Sequence, residues 1–121
     1  MLSLHLDNNN IGSKGAIALG VMLLNKYKLS KLHINNNPIG DEGFHKIAVG
    51  IQKIETLRII TIANTGISHV SMDSLSKALV NKRFLTKLNL DNCRIGSQGA
   101  KMLSEGIRSN ETLTNLHVAN C

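Results

Sequence analysis

Apolar and polar residues alternate in short stretches along the chain, and the same stretch returns several times. In the first copy, Leu4 and Leu6 flank His5, and a run of asparagines follows at residues 8–10. The same order begins again at residues 32, 60, 88 and 116. Alternation over a few residues predicts a half-buried strand, and asparagine favours the turn that ends it. The pattern therefore predicts five short strands, each closed by a polar turn.

The copies are spaced by 28 residues without an insertion, so the units begin at residues 1, 29, 57, 85 and 113, and the last is incomplete. An apolar residue heads every unit: Met1, Leu29, Leu57, Leu85 and Leu113. A fixed period of this length predicts a repeat architecture in which each unit packs on its neighbours. We expect residues 1–121 to form a single domain. We also expect a fragment of a longer array, because solenoids need polar caps and neither end carries one.

The second half of each unit has the spacing of an amphipathic helix. In the second unit, Phe44, Ile47 and Ile51 lie three and four residues apart, which places them on one helical stripe. Residues that favour the helix N-cap are found near the start of three stripes: Ser13, Asp41 and Ser97. The third unit lacks the two glycines that precede the helix in the other units. We therefore expect a different turn in the third unit.

The unit has the pattern L-x-x-L-x-L-x-x-(N/C/T)-x-I, and residues 11–16 and 95–100 both read I-G-S-x-G-A. This resembles the leucine-rich repeat, and the 28-residue unit with its helix resembles the ribonuclease-inhibitor-like subclass. The resemblance implies an α/β solenoid shaped as a horseshoe, with parallel strands on the concave face and helices on the convex face. The units look most like the repeat region of nucleotide-binding-domain immune receptors, which implies a role in ligand sensing or autoinhibition.

Two columns of the repeat follow each predicted strand. In leucine-rich repeats, the N/C/T column points inward and bonds to backbone groups of neighbouring turns, which suits the donors and acceptor of asparagine. The resemblance thus implies a structural ladder: Asn9, Asn37, Thr65, Cys93 and Cys121. The column before it is asparagine in every unit: Asn8, Asn36, Asn64, Asn92 and Asn120. We interpret it as a turn-forming column, with a ligand-facing role as the alternative.

The net charge of +6 raises the question of a nucleic-acid partner, but most basic side chains fall on the predicted helices or just after them. These residues are Lys14, Lys26, Lys28, Lys46, Lys53, Lys77, Lys82, Arg83, Lys101 and Arg108. On the strands, Lys31 and Lys87 are balanced by Asp7 and Asp91. Aromatic residues make up only 2 % of the chain, so a stacking platform for bases is missing. We expect neither nucleic acid nor a membrane as partner, and no run of 18 apolar residues occurs.

The sequence contains no motif of a known catalytic constellation, so we expect no enzyme activity, no cofactor and no metal. Three histidines share a strand column with Thr61 and Asn89: His5, His33 and His117. We interpret them as stacked surface side chains, with a pH response as the alternative. For Cys93 and Cys121, which occupy the same phase of adjacent units, we expect buried free thiols rather than a disulfide. With two cysteines and no secretory signal, we expect a cytoplasmic protein.

The solvent-facing strand residues define what we call the concave strip. It comprises His5, Asp7, Lys31, His33, Asn35, Ile59, Thr61, Ala63, Lys87, Asn89, Asp91, Asn115 and His117. Varied polar side chains on rigid strands favour a protein-binding module whose protein ligand is unidentified. The alternatives are a regulator of enzymes, since Ran GTPase-activating proteins carry similar repeats, and a structural scaffold. Uncapped apolar ends further suggest end-to-end self-association.

Overall fold

Strands and helices alternate along the computed structural model, which describes residues 2–26, 28–108 and 110–121. The strands are β1 (Leu2–His5), β2 (Leu29–His33), β3 (Ile59–Thr61), β4 (Lys87–Asn89) and β5 (Asn115–His117). The helices are α1 (Ser13–Leu23), α2 (Gly40–Lys53), α3 (Met72–Leu79) and α4 (Gly96–Ile107). The predicted α/β class is thereby confirmed, whereas the predicted core position Met1 lies outside the described residues.

The five strands form one parallel sheet in the order β1-β2-β3-β4-β5. Lys31 lies opposite Ile59, Ile59 opposite Lys87, and Lys87 opposite Asn115, so partners in the sheet are one sequence period apart. Columns of the repeat therefore become rows of side chains that cross the sheet at a strand spacing of about 4.8 Å. Packed helices need about 8–10 Å between their axes, so the sheet must line the inner side of the curve.

Aliphatic side chains fill the space between the sheet and the helices. Leu32, Ile60 and Leu88 form one completely buried row, at 0 % exposure each, and Phe44 and Ile47 of α2 close the same core from the helix side. Alternation along each strand turns the neighbouring residues to the opposite face of the sheet. The buried rows thus fix the orientation of the concave strip.

The all-asparagine column lies in the left-handed region of backbone conformation. Its five residues have φ angles from 54° to 61°. Asparagine tolerates this conformation better than any other residue except glycine, whereas a β-branched side chain there is strained. The backbone thus accounts for asparagine in every copy, as the structural interpretation of this column predicts.

The predicted N-cap roles are wrong for all three residues. The cap positions of α1, α2 and α4 are Gly12, Ile39 and Ile95, and no side chain caps these helices. Ser13, Asp41 and Ser97 lie inside the first helical turn instead. Two of the turns place a glycine with positive φ at the first helical position, at Gly40 and Gly96, and this shifts the start of the helix.

The third unit has a different turn, as expected, and Asp41 of the preceding unit holds it. A short 3-10 helix, His69–Ser71, leads into α3. Asp41 accepts hydrogen bonds from the Ser68 backbone N–H at 2.8 Å, the Ser68 hydroxyl at 2.7 Å and the Ser71 hydroxyl. Burial disfavours the charged carboxylate, but these bonds outweigh it and leave the pKa of Asp41 below its ordinary value.

We expect Asp41→Ala to lower the free energy of unfolding at pH 7 by about 1–2 kcal/mol, because two hydroxyls and one N–H lose a charged acceptor. The depressed pKa of Asp41 means that its stabilisation is complete above the ordinary carboxyl pKa of about 3.9 and is lost as the pH falls below it. Urea unfolding from pH 7 to pH 3 measures both effects. Glu42→Ala, in the same helical turn, is the matched control; an equal loss in the control contradicts the assignment.

Candidate functional site

The concave strip lies on the face of the sheet opposite the helices, and twelve of its thirteen residues are exposed or half-buried. His5, Asn115 and His117, near the two ends of the sheet, are the exposed ones. In the middle, Lys31 and Lys87 lie on either side of Ile59, and the three are half-buried. The middle of the strip therefore presents an aliphatic side chain between two cations.

Thr61 is the exception, because it is only 3 % exposed, and its predicted solvent-facing position is wrong. Its hydroxyl accepts a hydrogen bond from Asn35 Nδ2 at 2.9 Å and lies 2.8 Å from Nδ1 of His33. The two larger side chains of the preceding unit cover the small threonine. Thr61 thus orients His33 and Asn35 instead of meeting a partner itself.

Carboxylate and amide side chains of one column bond the first unit to the second, the second to the third and the fourth to the fifth. Asp7 Oδ1 accepts from the Asn35 N–H, and Asn35 Oδ1 accepts from the Ala63 N–H, both at 2.7 Å. Asp91 Oδ1 does the same for the Ala119 N–H, also at 2.7 Å. These residues were predicted only as partner-facing, although the column contains nothing but Asp, Asn and Ala. Part of their bonding capacity is used to hold the strand ends together.

The rings of His5 and His33 are stacked, with centroids 4.6 Å apart and planes inclined by 13°. Burial, followed by the neighbouring His5, holds the pKa of His33 below its ordinary value, while the Asp7 carboxylate acts in the opposite direction. Within the described residues, no group of three or more side chains is arranged to hold a metal ion. The lowered pKa favours the neutral form of His33 in this stacked pair.

Of the predicted ladder residues, Asn37, Thr65 and Cys93 are buried behind the strand ends that carry the strip, whereas the inward position predicted for Asn9 and Cys121 is wrong, because both are exposed. Asn37 is 1 % exposed; its Oδ1 accepts from the Asn9 and Ile11 N–H groups, and its Nδ2 donates to the carbonyls of Leu6 and Ile34. Thr65 makes fewer such bonds, donating to the Ile62 carbonyl at 2.9 Å. Asparagine therefore bonds to backbone groups of two consecutive turns, whereas the Thr65 hydroxyl bonds to a backbone carbonyl of its own turn and lies 3.9 Å from Cys93 Sγ of the next unit.

The two cysteines are free, but only one is buried. Cys93 is completely buried, and burial raises the pKa of its thiol, which opposes reactivity. The prediction of a buried thiol is wrong for Cys121, which is exposed. Its Sγ lies 3.2 Å from the Leu90 carbonyl of the preceding unit.

On the convex side, nine of the ten predicted basic residues are exposed, and Lys82 is the exception at 3 % exposure. Its Nζ donates to the Gln52 carbonyl at 3.1 Å, in the last turn of α2, where backbone carbonyls have no helical partner. Burial lowers the pKa of Lys82, and Glu55 opposes this shift. Lys82 therefore caps a helix rather than contributing to a solvated basic skin.

At the β5 end, an apolar groove of about 310 Å³ opens between the sheet and α4. Leu103, Ile107, Leu116 and Val118 are among the residues that line it. Leu116 and Val118 are 42 % and 39 % exposed.

In the described part of the chain, none of the helices combines the length and the apolar character required to cross a bilayer.

The period, the parallel sheet and the ladder define a repeat protein, and comparison identifies its class. The Leucine Rich repeat family profile matches residues 1–20, 28–48 and 81–104, together more than half of the chain. The chain therefore belongs to the leucine-rich repeat family. Comparison with curated proteins gave no match.

Two solved structures share the fold over nearly the whole chain. One is described as actin-binding site 2 of leiomodin-1; it has a TM-score of 0.81 at 16 % identity, over 98 % of this chain and 70 % of that one. The other is the C-terminal domain of a tropomodulin from Caenorhabditis elegans, with a TM-score of 0.84 at 15 % identity, over 98 % of this chain and 74 % of that one. At these identities the likeness shows the fold.

Proposed function

We propose that the chain is a non-catalytic protein-binding module that recognises its partner through the concave strip. The observation that carries this proposal is the row arrangement itself: twelve varied, mostly polar side chains reach solvent from one rigid parallel sheet. Side-chain oxygens of Asp7, Asn35 and Asp91 accept hydrogen bonds from backbone N–H groups of the next unit and so fix the backbone of the strip. A surface ordered before binding loses little conformational entropy when a partner docks, which favours affinity.

Actin is the first partner to test, because one structure with this fold is described as an actin-binding site. The support is limited to the shared fold over 98 % of this chain. The finer proposal of a ligand-sensing region in an immune-type receptor rests on the similarity of the repeat sequences. A nucleotide-binding domain encoded in the same gene supports the receptor proposal, and its absence contradicts it. A cytoplasmic location is proposed with either role.

The test is site-specific photo-crosslinking to purified actin and to a cytoplasmic extract. A photoreactive amino acid replaces Asn89, half-buried in the middle of the strip, or Lys101, exposed on α4 of the convex side. We expect at least about tenfold more crosslinked partner from position 89, because a docked protein lies within reach of the strip alone. Lys101 is the matched control for reactivity and folding.

Equal crosslinking from both positions contradicts a concave binding site. A partner captured only from position 101 moves the site to the helices. Crosslinking to actin from position 89 identifies actin as a partner. Crosslinking from position 89 only to another protein supports the protein-binding module but contradicts actin as its partner. If the chain changes the rate at which the captured partner hydrolyses GTP, the enzyme-regulating alternative is favoured. If neither position gives a specific crosslinked product, the structural-scaffold alternative is favoured.

We also propose that two copies associate end to end through their apolar edges. Leu2, the first residue of β1, is 54 % exposed, and Leu116 and Val118 line the groove at β5. Joining a β5 edge to a β1 edge continues the parallel sheet by one repeat and buries these side chains. Sedimentation equilibrium measures the association, and a monomer at millimolar concentration contradicts it.

A further inference from the structure

The histidines set the charge of the concave strip. Its permanent charges are those of Lys31 and Lys87 against Asp7 and Asp91, and they cancel. The strip also carries three histidines, and imidazole is the side chain whose charge changes most readily near neutral pH. Each imidazole that takes up a proton therefore adds one positive charge to an otherwise balanced strip.

His5 and His33 are the two histidines placed to act together. Their stacked rings lie 4.6 Å apart, and the Thr61 hydroxyl, 2.8 Å from Nδ1, fixes the orientation of the His33 ring. Two protonated rings at this distance repel each other, so an additional negative charge close by favours uptake of the second proton.

The groups around His33 make it a site for an anion. His5 and Asp7 act on it from the β1 side, Lys31 from its own strand and Lys87 from β4, while β3 contributes the uncharged Thr61. One carboxylate therefore faces two lysines and two protonatable rings. The Oδ1 atom of that carboxylate already accepts the Asn35 N–H at 2.7 Å. With both rings neutral, the two lysines already outweigh the one carboxylate, and each proton taken up by a ring makes the surroundings of His33 more cationic.

We propose that His5 and His33, together with Lys31 and Lys87, bind a carboxylate of an acidic segment in a protein partner, and that binding is coupled to proton uptake by the two imidazoles. The inference rests on the proposed function and adds the chemistry and the regulation of the site. A carboxylate supplied by the partner relieves the repulsion between two protonated rings. The complex therefore takes up protons, and a falling pH strengthens it.

The test uses the whole chain and a hexaglutamate peptide blocked at both ends. Glutamate, with an ordinary pKa of about 4.3, stays largely ionised at pH 5.5, so the pH dependence arises from the protein. We expect the affinity measured by calorimetry at fixed salt to be at least about fivefold higher at pH 5.5 than at pH 7.5. In NMR titrations, the pKa of both His5 and His33 should rise when the peptide is added.

Variants separate the stacked pair from general charge. His33→Gln and, separately, His5→Gln should reduce the pH effect to less than about twofold, because a single ring binds fewer protons. His45→Gln is the matched control: His45 is exposed on α2, away from the strip, and should keep the full pH effect. Lys31→Gln should weaken binding at both pH values by a similar factor. Unfolding curves check that each variant is folded.

Three outcomes overturn the inference: no binding of the peptide at pH 5.5, an affinity independent of pH, or an unchanged pH effect in both His5→Gln and His33→Gln. The proposed function fails by a different result, namely the absence of partner crosslinking from position 89. Crosslinking without peptide binding therefore contradicts only the proposal that the partner offers an acidic segment. Peptide binding without crosslinking contradicts the proposal of a protein-binding module.

Discussion

Replacing Asn37 with alanine is expected to lower the free energy of unfolding by about 3–5 kcal/mol, the largest effect of any substitution considered for this chain. The side chain is 1 % exposed and satisfies the Asn9 and Ile11 N–H groups and the Leu6 and Ile34 carbonyls. Alanine leaves these backbone groups buried or half-buried without partners. An unmade buried hydrogen bond costs more than a made one contributes, at about 1–3 kcal/mol per group.

Equilibrium unfolding in urea, followed by circular dichroism, measures this loss. Asn9→Ala is the matched control: it lies in the same column of the preceding unit, but it is exposed and its side chain donates only to the Asp7 carbonyl. We expect the control to lose less than about 0.5 kcal/mol. A similar loss in both variants contradicts the assignment, because it means that the column matters for its position and not for its bonds.

The Asn37 bonds also connect stability to the proposed site. Leu6 and Ile34, whose carbonyls accept from Asn37, directly precede Asp7 and Asn35 of the concave strip. Freeing these carbonyls loosens the two strand ends that the Asp7–Asn35 bond holds together. Binding and stability are thus expected to weaken together in this variant, whereas the strip variants used above leave the ladder intact.

The core was predictable because, in a repeat with an unbroken period, residues at the same position of each unit have the same surroundings. Leu32, Ile60 and Leu88 occupy one column and are all completely buried. Strand direction, sheet order and the face that each residue occupies follow from the same step. An insertion in any unit removes this equivalence, and the alignment of columns then no longer predicts neighbours in the sheet.

The errors arise where a side chain responds to its neighbours rather than to its own column. Alternation places Thr61 on the open face, but it does not reveal that His33 and Asn35 are long enough to cover a threonine. Aspartate is a residue type that often forms an N-cap, yet the Asp41 carboxylate accepts hydrogen bonds from two serines of the next unit instead of from its own helix. Residue type predicts which bonds a side chain is able to make, and packing decides which bonds form.

Small helix residues form a further column of the repeat, which the alternation of the strands does not reveal. Gly20, Ala48, Ser76 and Ser104 share one column of the repeat, and each is small. At Gly20, a Cβ atom would lie 2.5 Å from the backbone carbonyl carbon and oxygen of Lys46 in the next helix. Close approach of α1 and α2 therefore depends on the absence of a side chain at this position.

Gly20→Ala is expected to destabilise the fold by about 3 kcal/mol, at the upper end for overpacking, because the atoms it meets are backbone and have no rotamer to change. The clash is partly offset by helix propensity, which favours alanine over glycine by about 1 kcal/mol. Urea unfolding measures the net change. Gly12→Ala is the control, since the nearest atom to its Cβ is the Pro38 carbonyl oxygen at 4.0 Å, and it should change stability by less than about 1 kcal/mol.

A stabilised Gly20→Ala variant contradicts the close packing of α1 on α2, because helix propensity then acts unopposed. A destabilised variant has a further consequence for the strip. The sheet and the helices share each unit, so pushing α1 away from α2 without widening the strand spacing of about 4.8 Å increases the curvature at β1 and β2. His5 and His33 lie on these two strands, and the pH dependence of peptide binding should change with the packing of helices on the opposite side of the core.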